Sequence, residues 1–199
     1  TVITVGDRLA AALRARGARQ VEVVGNWKRL EDFTLPAEQM RAERQQLGLS
    51  DSRLVVCYLG SLQSNYLILP LLEAVTRSPE VALLVAGHGE LSNRVAEAAE
   101  RHPNIRWLGW LDMTGLAFYT SLSDGVYCCL SGIADHGNNY YVAPNKLFEA
   151  LAAGKPVIAR RGVGEIGDIL ERTGAGLLLD EVTPETLRAA FAQLQQPAV

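Results

Sequence analysis

The sequence predicts an α/β fold: a doubly wound, Rossmann-like parallel sheet of about six strands, with helices on both faces. Three observations predict it. From Leu54 onward, short apolar runs alternate with amphipathic stretches of helical period. Runs such as Leu54–Leu59 and Ala82–Ala86 are continuously apolar rather than alternating, so both faces of those strands need cover. Glycines follow the first three runs, at Gly60, Gly87 and Gly109, where the chain must leave the sheet.

The elements follow in chain order. Val2–Val5, Asp7–Arg16 and Val21–Val24 read as strand, helix and strand. Residues 25–50 read as a charged connector with a helix near Ala37–Leu47. Leu54–Leu59 is a strand and Tyr66–Arg77 a helix, followed by the strand Ala82–Ala86 and the helix Leu91–Arg101. Ile105–Leu108 is a strand and Thr114–Leu122 a helix. Gly125–Leu130 and Pro156–Ala159 are strands flanking a helix over Pro144–Ala153. Glu165–Thr173 is a helix, Gly176–Leu179 a strand, and Pro184–Leu194 a closing helix. Right-handed crossovers turn this order into a doubly wound sheet.

Ligands of such sheets sit beyond the carboxyl ends of the strands. That rule selects Gly60–Asn65, Gly87–Glu90, Gly109–Asp112, Ser131–Pro144 and Arg160–Glu165. The Ser131–Pro144 loop is the longest and carries Asp135, His136, Asn138, Asn139, Tyr140 and Tyr141.

Bulk properties narrow the class. The 199 residues suffice for one good core and part of a second domain. Apolar residues make up 48% and charged residues 21%, as in ordinary globular proteins. A net charge of −3 argues against nucleic acid as a partner. No apolar run approaches the roughly 20 residues that span a bilayer. The chain opens at Thr1 without Met, as expected of a fragment or processed form. Cys57, Cys128 and Cys129 fall in strand-like runs and read as buried thiols of a reducing compartment. The adjacent pair would point to opposite faces, which does not suit metal binding.

Ala143 to Ala159 is the most informative stretch. Pro144 suits a first helical position, where no N–H is needed. Asn145 and Glu149 are four apart and share a face. Phe148, Leu151 and Ala152 form an apolar face. Gly154 can close the helix in the left-handed region, and Pro156 prevents continuation. The free N-terminus of this helix suits a phosphate. Lys146 adjoins it as a point charge.

This ProAsnLysLeuPheGlu…AlaAlaGlyLysProValIle segment resembles the donor-nucleotide segment of GT-B-fold glycosyltransferases of the family-four type. The resemblance extends from about Val21 to the end of the chain. It implies that residues 1–24 are a remnant of the N-terminal GT-B domain, 25–50 the interdomain connector, and 51–199 the C-terminal nucleotide-sugar-binding domain. It implies transfer of a sugar from a nucleoside diphosphate to an acceptor hydroxyl of a glycan or lipid-linked sugar. No cofactor or obligatory metal is implied. The expected setting is the cytoplasm, at the inner membrane face where family members often act, with any peripheral membrane association made through the absent domain. Catalytic residues would lie largely in that domain.

Residue by residue, Glu149 matches the glutamate that accepts hydrogen bonds from the donor ribose, as a carboxylate can from a vicinal diol. Gly60 and Ser61, and Gly87, His88 and Gly89, match loops near the nucleotide. Trp110 and Leu111 match the base pocket. His136 could face the sugar.

Two departures stand out. Many retaining members carry Glu-x7-Glu, and the first glutamate falls on Tyr141. Many also carry Arg and Lys after the first strand, where Ser61–Tyr66 has no cation; Lys146, Arg160 and Arg161 are the expected substitutes. Blander readings stand beside these: a solvated helix-start glutamate, packing tryptophans, and a surface arginine pair. The rival functions are a GT-B sugar-nucleotide epimerase and a non-catalytic nucleotide-binding module.

Overall fold

A computed structural model describes residues 1–49, 54–132 and 137–196. Strands β3 (Leu54–Leu59), β4 (Val81–Ala86), β5 (Ile105–Trp107), β6 (Gly125–Tyr127), β7 (Val157–Arg160) and β8 (Gly176–Leu179) form one sheet, ordered β5-β4-β3-β6-β7-β8. Every pairing is parallel. The six-stranded parallel sheet is the fold the sequence predicts.

Alternation along each strand divides the core between two faces. Val55, Cys57 and Leu59 join one cluster with α6 (Asn145–Ala152) and α7 (Gly164–Thr173). Leu54, Val56 and Tyr58 join the other with α3 (Ile68–Thr76) and α8 (Pro184–Leu194). Cys128 and Cys129 fall on opposite faces, and all three cysteines are buried and unpaired. Burial pushes the Cys57 and Cys128 thiols up to about 12, so they are inert packing groups.

Some element ends differ from the sequence reading. The helix expected from Tyr66 begins at Ile68. Before it, Ser64–Tyr66 forms a 3-10 turn and Leu67 is left-handed at φ 52°. Pro70 explains the break, since its ring would clash with the carbonyl four residues upstream. Pro144 caps α6 rather than opening it. Strand β6 stops at Tyr127, not Leu130. It pairs with β3 only through Val56↔Gly125 and Cys57↔Val126, whereas β3 and β4 stay paired to Leu59↔Ala86. The two central strands therefore part at their carboxyl ends.

That gap lies at the topological switch point. The chain winds outward from β3 to β4 and β5, then returns to β6 on the other side. Ligands of doubly wound sheets bind at such a point.

The N-terminal residues form a separate unit. Strand β1 (Val2–Thr4), helix α1 (Asp7–Ala15) and strand β2 (Val21–Val23) make a two-stranded parallel sheet with its own crossover. Ile3, Val24, Trp27 and Leu30 are exposed around it. The connector then crosses to α2 (Ala37–Gln46), which Arg44 pins to the end of α5 (Met113–Leu122) by binding the Leu122 carbonyl and Asp124.

Candidate functional site

The switch-point crevice is built from three segments. The first is the exit of β3. The Gly60 N–H donates to the Ala86 carbonyl, and the Leu62 N–H to the His88 carbonyl, each at 3.0 Å. The second is the exit of β4. Gly87, at φ 122°, backs onto the Gly60 carbonyl so closely that no side chain fits, and Gly89 is pressed against Leu62. The glycine pair thus zips two loops together, a packing demand independent of any ligand. The third segment is the start of α6, whose N-cap residue Pro144 offers no side-chain cap to the first-turn N–H groups.

Lys146 links these segments. It is 9% exposed, yet its ammonium lies 4.0 Å from the Tyr58 ring centre and 4.3 Å from that of Tyr66. A Cβ on Gly60 would lie 3.4 Å from Nζ, which places the charge at the β3 exit. Among the described residues none pairs with this ammonium by an ion pair or hydrogen bond. Burial pulls its pKa below the ordinary 10.5, and Cys128 and Glu149 pull weakly the other way. The aromatic faces favour the cation without neutralising it. A buried charge so placed, beside uncapped helix N–H groups, suits an anion.

Glu149 and Asn145 share a face, as their spacing predicts, and their common partner is Lys28. Its ammonium lies 3.1 Å from Asn145 Oδ1 and 3.5 Å from Glu149 Oε1. Glu149 is 5% exposed and Asn145 is exposed.

The other expected residues separate. Ser61 and His88 are exposed at the crevice rim, with His88 edge-on to Trp107 at 5.8 Å. Trp107 donates to the Gly87 carbonyl and is structural, whereas Trp110 is 71% exposed. Trp110 is therefore open for stacking, while Leu111 packs against the core. Tyr141 stacks edge-on with Tyr140 on the loop into α6. Arg160 turns toward Gly132 at the start of the long loop.

Arg161 does not reach the crevice. It is bound to Glu171 and Asp180 beside β8, at the sheet edge, because those carboxylates lie nearer than the switch point. Asp135 and His136 lie outside the described residues. Among the described residues no group of His, Cys, Asp or Glu could hold a metal ion. No described helix is long and apolar enough to cross a membrane.

Sequence reasoning missed Lys28 and the two tyrosines beneath Lys146. Tyr58 reads as one more core residue in an apolar strand, and Tyr66 as the start of a helix. Lys28 sits in a charged connector where nothing marks it out.

The model of the family described as glycosyl transferases group 1 matches residues 39–196. No curated protein matches the chain in sequence. Solved structures do match in fold. HepE from Anabaena, solved with UDP and glucose, is 19% identical with a TM-score of 0.77, covering 96% of this chain and 52% of that one. Sucrose-phosphate synthase from Thermosynechococcus elongatus is 25% identical, TM-score 0.73, covering 97% and 48%. WaaG, a glycosyltransferase involved in lipopolysaccharide biosynthesis, is 15% identical, TM-score 0.73, covering 97% and 53%. The chain spans about half the length of these structures.

Proposed function

The chain belongs to the glycosyl transferases group 1 family and has the fold of the C-terminal-type half of a GT-B enzyme, and on that premise we propose that it binds the nucleoside diphosphate sugar of a glycosyl transfer. One observation carries this reading: the buried Lys146 ammonium at the switch point, without an ion-pair or hydrogen-bond partner among the described residues, beside the N-terminus of α6 that no N-cap side chain covers. The diphosphate would lie over Gly60 and Ser61 against these groups. The ribose would reach Glu149, and Trp110 would flank the base.

The chemical task of this half is electrostatic. As the glycosidic bond to phosphate breaks, negative charge grows on the leaving diphosphate. Lys146 and the helix N–H groups oppose it without reorganising. This leaves the cation-free Ser61–Tyr66 loop without a direct role in neutralisation. The acceptor we propose is a hydroxyl of a glycan or lipid-linked sugar in cell-envelope or polysaccharide synthesis in the cytoplasm. Its binding site and any catalytic base would belong to a second half, since the solved structures are about twice as long.

Ligand-observed NMR of the chain with UDP, GDP, ADP and NAD tests the reading. One nucleoside diphosphate should bind, and Lys146→Met should weaken it at least tenfold. Binding of NAD alone would overturn the proposal. A non-catalytic nucleotide-binding module is the second reading, favoured by Tyr141 standing where many retaining members carry a glutamate. It predicts the same binding, with no sugar transfer by the intact gene product.

A further inference from the structure

We infer that Lys28 of the connector is a positioning residue for the donor ribose, holding the Glu149 carboxylate and the Asn145 amide oxygen as a preset pair of acceptors for a vicinal diol. This rests on the donor-site reading above.

Glu149 is almost fully buried, and a buried carboxylate needs a positive partner. Its neighbour Lys146 cannot be the direct one, because that ammonium turns onto Tyr58 and Tyr66. Lys28 supplies the charge at 3.5 Å and also contacts Asn145 at 3.1 Å. Its side chain is only 17% exposed. An ammonium has three donors, while a carboxylate offers about four acceptor positions, so Glu149 keeps capacity for two ribose hydroxyls.

The connector holds Lys28 from both sides. Upstream, Asn26 donates to the Ala143 carbonyl at 2.7 Å, and the Trp27 ring meets Phe148 edge-on at 5.2 Å. Downstream, the 3-10 turn Leu30–Phe33 buries Phe33, whose carbonyl accepts from Ser121 at 2.7 Å. A long side chain anchored at both flanks loses little further entropy when ligand arrives. The residue that completes the ribose site therefore comes from outside the six-stranded sheet.

The test compares UDP, GDP and ADP with their 2′,3′-dideoxy counterparts by ligand-observed NMR on the chain. The unaltered chain should prefer the ribose form of the nucleotide it binds by about tenfold, the scale of hydrogen bonds to a charged group. Lys28→Ala should shrink that preference toward unity, and Lys28→Arg should retain part of it. If Lys28→Ala does not fold, Lys28→Gln keeps the stem and replaces it. A full preference in the Lys28 variants, with the preference lost in Glu149→Ala, would overturn the inference and leave the donor-site reading intact. A full preference in Glu149→Ala, or no binding of any of the three nucleotides, would overturn the reading and the inference together.

Discussion

A Cβ on Gly87 would run into the carbonyl oxygen of Gly60, in a backbone region that L side chains rarely adopt. Gly87→Ala should therefore cost more than about 2 kcal/mol in denaturant unfolding, because strain and collision add. Gly154 offers the contrast: it is also left-handed, at φ 64°, but has open space around it. Lys146 carries a different cost. Its pKa is lowered in the fold, so the folded state holds that proton less tightly than the unfolded chain does. The penalty of a buried ammonium is thus fully present at low pH. It is relieved as pH rises through the folded value toward the ordinary 10.5, so this residue makes stability rise with pH there. Lys155 acts in the same direction, and the cysteine thiols oppose it above their ordinary 9.0. Comparing the alkaline stability profile of the native chain with that of Lys146→Met isolates the Lys146 part, and the variant should lack it. The variant should be no less stable near neutral pH while losing nucleotide binding, since a site that holds a buried charge with no partner among the described residues trades stability for function.

Among the elements, α6 shows how far local sequence carries. Its C-terminal glycine, its apolar face and the common face of Asn145 and Glu149 all follow from spacing alone. The start of α3 shows the opposite. A run of apolar residues hides the break at Leu67, and only Pro70 hints at it. Helix α8 is stapled locally, with the Thr183 hydroxyl accepting from the Thr186 N–H and Thr186 returning the bond. Thr183→Ala should lower the unfolding free energy by about 1 kcal/mol without changing nucleotide binding, measured by urea titration and NMR.

At the scale of the molecule, one cluster ties the N-terminal unit to the sheet domain. Arg8 makes a two-pronged pair with Asp168 at 2.7 and 2.8 Å, and its backbone N–H donates to Glu165 at 2.6 Å. Its guanidinium also lies 4.7 Å from the Tyr140 ring centre. The hydrogen bond to Asp168 raises the Arg8 pKa above its ordinary value, so the guanidinium itself stays charged. Arg8→Ala should release the β1–α1–β2 unit, seen as faster amide exchange over residues 2–23 with protection of β3 and β4 unchanged. Equal loss of protection in both would show that the two units unfold together.

The sequence by itself determined the sheet, its helices and the segment around α6. Those depend on periodicity, propensity and turn chemistry, which act between residues a few positions apart. It also marked Lys146 and Glu149, because their motif is contiguous. Tertiary structure alone decided what each one touches. Tyr58 and Tyr66 come beneath Lys146 only because β3 and α6 meet across the switch point. Arg161 is lost to Glu171 and Asp180 because β7 lies beside β8. Lys28 reaches Glu149 across 121 residues of chain because the connector docks on α6 through Asn26 and Trp27. Contacts at such separation obey no local period; they exist only once the chain has folded and buried charges have found partners among whatever the fold brings near.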